Sequence, residues 1–171
     1  MQIRRATLDD VTLISELGAK TFDQTFRGTC SDQDLEGILT EYYNEAQVES
    51  ELKDEEDFFF ILFENEEAAG YTRINLGRPA EKHFNNKKSA ELMRIYFLNE
   101  FHGKGLATPL INYCFDFLKE KGYQQVYLSV WEHNERAKAF YLKHNFVDSK
   151  IENPFPLGDT PQMDYWYVKQ L

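Results

Sequence analysis

Between Glu91 and Val130 the apolar pattern changes period twice, and no other stretch limits the fold as tightly. Over Glu91–Leu98, Met93, Ile95 and Phe97 alternate with Arg94 and Tyr96, the two-residue period of a strand. The glycine turn His102-Gly103-Lys104-Gly105-Leu106-Ala107 follows. Leu106, Leu110, Cys114 and Phe117 are then spaced four, four and three, which is one face of a helix. Pro109 fits only in the first turn of that helix, where amide protons have no intrahelical acceptor. Gly122 ends it, and Val126, Leu128 and Val130 alternate again as a strand.

The flanking segments extend this β-turn-α-β unit. Ile3–Ala6 reads as an edge strand. Asp9 or Asp10 reads as the N-cap of a helix with Val11, Ile14, Leu17, Ala19 and Phe22 on its stripe. Ser31 with Asp34 fits an acidic capping box opening a second helix with Leu35, Ile38 and Leu39, and a third carries Ala46, Val48 and Leu52. Phe58–Phe63 is a buried strand, Glu64–Glu67 its turn, Ala69–Leu76 its hairpin partner, and Gly77–Ser89 a polar loop. Asn134 reads as the N-cap of a helix with Ala137, Phe140, Tyr141 and His144. Phe146–Ile151 and Met163–Val168 close the chain as strands. The expectation is an α+β fold, a mixed sheet in one domain over residues 1–171.

Composition excludes several classes. The 171 residues are 42% hydrophobic, enough for a core and too apolar for a disordered chain. The longest apolar run, Phe58–Phe63, is far short of a membrane span. No apolar signal core follows Met1, so a cytoplasmic protein is expected. Cys30 and Cys114 are too few for a disulfide framework, and the four histidines show no metal-ligand spacing, so no metal site is expected. The net charge of −10 is concentrated in residues 31–57, with eleven acids against Lys53. Such acidity argues against nucleic-acid or anionic-membrane partners. The block itself reads either as a solvated helical surface or as a site that attracts cations.

Two places carry chemistry. The glycine turn, between a strand and a helix, presents free amides and a positive dipole to a phosphate. It is not a Walker loop, because no Gly-Lys-Ser/Thr ends a four-residue spacer, and not a dinucleotide fingerprint, because Thr108 stands where a third glycine would be. Further on, Asn134 and Tyr141 are seven residues apart, about 10 Å along one helix face. An amide there could hold an extended ligand while a phenol meets its reactive end; an N-cap and a core aromatic are the plainer reading.

Taken together, His102-Gly103-Lys104-Gly105-Leu106-Ala107 and the run Asn134-x-x-Ala137-x-x-Phe140-Tyr141, ending at Phe146, resemble the motifs of the GNAT (GCN5-related N-acetyltransferase) superfamily. The likeness is strong over residues 91–146. More loosely, the chain resembles bacterial spermidine/spermine acetyltransferases of the PaiA type, through Thr21-Phe22, Cys30-Ser31, Asp34-Leu35, Arg94-Ile95-Tyr96, Val130-Trp131-Glu132, Asn134-Glu135 and Gly158-Asp159. It departs from the superfamily pattern at His102, where Gln or Arg is usual, at Asn145, where Gly is usual, and at Met93, where many relatives place a glutamate.

The resemblance implies the acyl-CoA N-acyltransferase fold, a sheet of about seven strands with helices on both faces. It implies acetyl-CoA as co-substrate and a small-molecule primary amine as acceptor, a cationic polyamine such as spermidine. The backbone of Ile95, Tyr96 and Phe97 would pair with the pantetheine amides, much as a strand adds to a sheet edge. Gly103, Lys104, Gly105, Leu106, Ala107 and Thr108 would wrap the pyrophosphate; Lys143 and Lys104 could neutralise the outer phosphate, although solvated lysines are the plainer reading of each. Asn134 would bond the pantetheine arm, and Tyr141 would face the thioester sulfur. Glu91, at the start of the central strand, is the nearest acid to serve as base, although a solvated strand-end glutamate is the plainer reading. Acetylation of a peptide amine, a CoA-binding module without catalysis, and a homodimer stay open.

Overall fold

The computed structural model describes residues 1–77, 84 and 88–171. The polar loop expected over Gly77–Ser89 lies mostly outside these residues. Among them, seven strands form one sheet in the order β1-β2-β3-β4-β5-β7-β6. The strands are β1 (Gln2–Arg5), β2 (Asp57–Glu64), β3 (Glu67–Asn75), β4 (Ser89–Phe97), β5 (Gln125–Trp131), β6 (Val147–Pro154) and β7 (Met163–Gln170). Helices α1 (Val11–Phe26), α2 (Asp32–Tyr42) and α3 (Glu45–Lys53) separate β1 from β2. Helix α4 (Ala107–Glu120) connects β4 to β5, and α5 (Glu135–Lys143) connects β5 to β6. Every neighbouring pair is antiparallel except β4 with β5.

The two sheet faces are packed differently. Phe58 and Phe60 of β2 meet Phe117 of α4, ring centroids 4.9 and 5.0 Å apart, and Tyr141 of α5 meets Tyr167 of β7 on the same face. On the other face Phe59, Tyr71 and Tyr96 lie under α1, which approaches closely at Gly18. A Cβ there would stand 2.6 Å from the Tyr43 ring and 3.2 Å from the Tyr71 hydroxyl. Helices therefore cover both faces, as expected.

The helix starts show where local chemistry was read correctly and where it was displaced. Ser31 Oγ accepts from Asp34 N–H, Asn44 Oδ1 from Gln47 N–H and Asn134 Oδ1 from Ala137 N–H. Asp10, one of the two residues expected to cap α1, does stand at its N-cap, but its carboxylate turns back to the Thr7 N–H and to Arg4, because a 3-10 turn over Leu8–Asp10 precedes the helix. Asn145 takes φ 63° after α5, so asparagine fills the left-handed position that glycine usually occupies.

Two irregularities in β4 shape the site. The register steps from Arg73↔Arg94 to Ile74↔Leu92, leaving Met93 as an extra residue, a β-bulge. Strict alternation would put Arg94 and Tyr96 opposite Glu91; the bulge puts all three on the α1 face. Secondly, β4 pairs with β5 only through Ser89↔Gln125, Ala90↔Val126 and Glu91↔Tyr127. Beyond Glu91 the two strands splay and open a wedge in the sheet.

Candidate active site

A cavity of about 1690 Å³ fills this wedge and continues on both sides of it. At one end it is lined by Gly103, Gly105, Leu106, Ala107 and Thr108 of the glycine turn; Lys104 is not among the lining residues, and its ammonium sits 4.6 Å from the Phe101 ring centre. Gly103 and Gly105 hold φ of 76° and 78°, and a Cβ at either meets nothing within 4 Å. The glycines are thus demanded by backbone conformation, not by crowding. Unlike α2, α3 and α5, α4 starts without a side-chain cap, so its first amides have no side-chain acceptor. This is the arrangement that binds an anion.

His102 and Arg136 complete that end. The His102 Nε2 lies 3.0 Å from the Phe97 carbonyl, and Arg136 Nη1 lies 2.8 Å from Nδ1. A guanidinium only donates, so Nδ1 accepts and Nε2 carries the proton. Burial and Arg136 both lower the His102 pKa, keeping it neutral. The positive charge that Arg would bring at position 102 is supplied by Arg136, which the sequence reading overlooked. Lys143, two turns further along α5, also lines the cavity.

In the wedge, antiparallel alternation decides which β4 groups face the open side. Leu98 N–H bonds to Ala69 O, so Leu98 and Tyr96 turn their backbone groups to β3, while Phe97 and Ile95 turn theirs toward the splayed side. Of the three residues expected to pair with pantetheine, the ladder aims Ile95 and Phe97 there; Tyr96 contributes its ring. Asn134 spends Oδ1 on its cap, and its Nδ2 has no protein acceptor among the described residues. Tyr141 is buried on the α5 side of the wedge, and burial raises its phenol pKa.

The other end lies on the α1 face. Arg73 reaches Glu51 at 2.6 Å and Asp57 at 2.6 Å, and Arg94 reaches Glu51 at 3.0 Å. Asn75 Nδ2 donates to Asp57 at 2.9 Å. Two arginines and two acids, all largely buried, neutralise each other; breaking such a network leaves an uncompensated charge. Sequence reading missed it because its members come from α3, β2, β3 and β4. Glu51 and Asp57 are therefore not the solvated acids that their place in the acidic block implied.

The rest of that block divides. Asp34 and Glu41 line the cavity, whereas Glu36 and Glu45 do not: Glu36 reaches Arg27 at 3.5 Å and Glu45 accepts from Thr12 at 2.7 Å. The Asp34 carboxylate also accepts from Asp159 N–H (3.2 Å) and Thr160 Oγ1 (2.9 Å), pinning the β6–β7 connection over the cavity. A Cβ at Gly158 would collide with that carboxylate. Glu91 lines the cavity at 9% exposure. So does Asp164 of β7, which accepts from Ser129 Oγ at 3.0 Å and whose pKa burial raises to about 6. The available signal for Asp164 was a lone acid inside the aromatic strand Met163-Asp164-Tyr165-Trp166-Tyr167.

The profile of the acetyltransferase (GNAT) family matches residues 22–146, a span that includes the wedge, the glycine turn and Tyr141. The chain belongs to that family. It is 31% identical, over its whole length and 96% of the relative, to an uncharacterized N-acetyltransferase of Lactobacillus delbrueckii subsp. lactis. It is 26% identical to the spermidine N(1)-acetyltransferase of Thermoplasma acidophilum over 90% of each chain. The crystal structure of the PaiA N-acetyltransferase of Thermoplasma acidophilum in complex with coenzyme A superposes with a TM-score of 0.81, covering 99% and 98% of the two chains at 20% identity. As a GNAT enzyme, the chain is an acetyl-CoA-dependent N-acetyltransferase. No helix among the described residues is long and apolar enough to cross a membrane, and no group of three potential metal ligands occurs among them.

Proposed function

We propose that this GNAT enzyme acetylates a primary amine of a polyamine such as spermidine. The supporting observation is that charge is sorted along the cavity. Arg136 and Lys143 line the end at the glycine turn, while Asp34, Glu41, Glu91 and Asp164 line the other; the remaining arginines there are tied to Glu51 and Asp57. A polyanionic nucleotide suits the first end and a polycation the second. The similarity to a spermidine N(1)-acetyltransferase supports the same reading.

In this reading the amides of Gly103 to Thr108 and Arg136 hold the pyrophosphate. Ile95 and Phe97 hold the pantetheine amides, together with the Asn134 Nδ2. This places the thioester in the wedge beside Tyr141. An amine nitrogen entering from the α1 face attacks the acetyl carbon, the C–S bond breaks, and the Tyr141 phenol donates its proton to the departing sulfur. A free alkyl ammonium has a pKa near ~10.4, so deprotonating it at pH 7 costs about 4.6 kcal/mol. A base at the acceptor end lowers that cost.

The test is release of free CoA from acetyl-CoA against a panel of polyamines, amino sugars, amino acids and peptides. Spermidine or spermine is expected to give the highest kcat/KM. A preference for a peptide or a neutral amino acid overturns the polyamine reading and leaves the acetyltransferase assignment standing.

A further inference from the structure

The geometry points to Asp164 as the catalytic residue that receives the acceptor ammonium and takes its proton. This rests on acetyl transfer to an amine, and it goes beyond the roles given above to Tyr141 and Glu91.

Asp164 lies on β7 opposite Trp131, on the α1 face of the sheet, where the register also sets Ser129 and Trp166. All four line the cavity. β5 borders the wedge and β7 pairs with β5, so these residues stand beside the wedge on the α1 face. The acids of the neighbouring network, Glu51 and Asp57, each hold an arginine. The Asp164 carboxylate meets only the Ser129 hydroxyl and, among the described residues, no cation. Trp131 adds a second polar group, an indole Nε1 that is buried with no partner among the described residues. A partly buried carboxylate without a cation, walled by two indoles, is suited to an alkyl ammonium, which gains from both the charge and the aromatic faces.

The surroundings also favour proton transfer. The titratable and charged groups that line the α1-face part of the cavity are Tyr96, Arg94 and Glu91 of β4, Arg73 of β3, Tyr127 of β5, Asp34, Glu41 and Tyr42 of α2, Tyr43 just after it, and Glu51 of α3. Arg94 is engaged by Glu51. Burial above all, and then the charges of Tyr71, Tyr141 and Asp164, raise the Tyr96 phenol pKa and keep it protonated. Desolvation disfavours both an ammonium and a carboxylate, so burial raises the acid and lowers the amine, bringing the two pKa values together.

The step balances. R–NH3⁺ gives one proton to the Asp164 carboxylate and becomes R–NH2. Its lone pair forms the C–N bond, and the C–S bond breaks. The second proton lost by nitrogen ends on the CoA sulfur, with Tyr141 giving its proton and regaining one. Asp164 then releases its proton to solvent, so the products are the amide, CoA thiol and H⁺.

The experiment compares wild type with Asp164→Asn and Asp164→Glu, using spermidine and acetyl-CoA, over pH 5 to 9. Asn keeps the size and can still accept from Ser129. The expected result is a kcat lowered at least ~10²-fold in Asp164→Asn, with acetyl-CoA affinity by calorimetry within about twofold of wild type. The ascending limb near pH 6 is expected to vanish, and Asp164→Glu to recover part of the rate. Retained acetyl-CoA binding shows that the fold survives. If spermidine is inert and another amine of the panel is turned over, the polyamine reading falls and the same comparison is made with that amine. Wild-type kcat in Asp164→Asn, or a lowered kcat with an unchanged pH profile, overturns the role of Asp164.

Discussion

At the glycine turn, the polar groups facing the cavity are main-chain amides, set by the positive φ of Gly103 and Gly105 and by an α4 start that no side chain caps. On the α1 face they are side chains: Glu51, Arg73 and Arg94 in one network, Asp34 and Glu41 on α2, Asp164 on β7. The first end is made by about six consecutive residues, to which α5 adds Arg136 and Lys143. The second draws on five separate elements, aligned by the sheet register and by the bulge at Met93. Main-chain sites suit a ligand part that never varies, which in the proposed reading is the pyrophosphate and pantetheine. Side-chain sites can be altered one at a time, which suits the acceptor. Substitutions at the two ends should therefore separate kinetically.

The largest effect is expected where the two ends meet. Under the proposed function Tyr141→Phe removes the proton donor, and it is expected to lower kcat by ~10²-fold or more, with little change in KM for acetyl-CoA. Steady-state kinetics checks this, and wild-type turnover in that variant removes Tyr141 from the chemistry.

Next comes the main-chain end alone. Gly105→Val forces a β-branched residue into a left-handed conformation and displaces the amides beside it. Acetyl-CoA affinity by calorimetry should weaken at least tenfold, about 1.4 kcal/mol, with the circular dichroism spectrum retained. Unchanged affinity would show that the turn is not part of the nucleotide site.

The acidic block offers an internal control at the side-chain end. Neutralising Asp34 and Glu41, which line the cavity, should raise the KM for spermidine several-fold and flatten its salt dependence. Neutralising Glu36 and Glu45, which face Arg27 and Thr12, should leave both unchanged. Equal effects from the two pairs would mean that only net charge matters. Because Asp34 also pins Asp159 and Thr160, Glu41→Gln alone separates charge from loop anchoring.

An effect of a different kind is expected on stability, and its sign is diagnostic. The Asp164 pKa of about 6 lies above the ordinary carboxylate value, so between about pH 4 and pH 6 the folded state binds more protons than the unfolded one. Its contribution to stability accordingly falls as pH rises through that window. At pH 7 Asp164→Asn should be more stable than wild type by about 1–2 kcal/mol, measured by urea unfolding. A less stable variant would mark Asp164 as a structural residue.

The same contrast explains what could be read before the structure was known. The strand, glycine turn, α4 and Asn134–Tyr141 are local patterns, and their periods and caps fix them within a few residues. The network of Glu51, Asp57, Arg73 and Arg94 was not legible. Arg94 and Arg73 become neighbours only through β3–β4 register, and Glu51 arrives from a helix 43 residues away from Arg94 in sequence. In the sequence Glu51 and Asp57 are two acids in an acidic run, indistinguishable from the exposed Glu49 and Glu55. Tyr96 was misread for a related reason: alternation gives the faces of a strand, but which edge each backbone group serves depends on where the neighbouring strand bonds. Arg136 needed the contact with His102 to stand out from an ordinary helical surface.

That acetyl-CoA and a polycation occupy oppositely charged ends of one cavity is tested most directly by the salt dependence of acceptor discrimination. The measurement is kcat/KM for spermidine and for n-butylamine, by release of CoA from saturating acetyl-CoA, at ~0.01 M and ~0.15 M ionic strength. The account predicts that spermidine exceeds butylamine at least tenfold at low salt and that the ratio falls as salt is raised. A ratio near one at both ionic strengths, or one that does not change with salt, would contradict it.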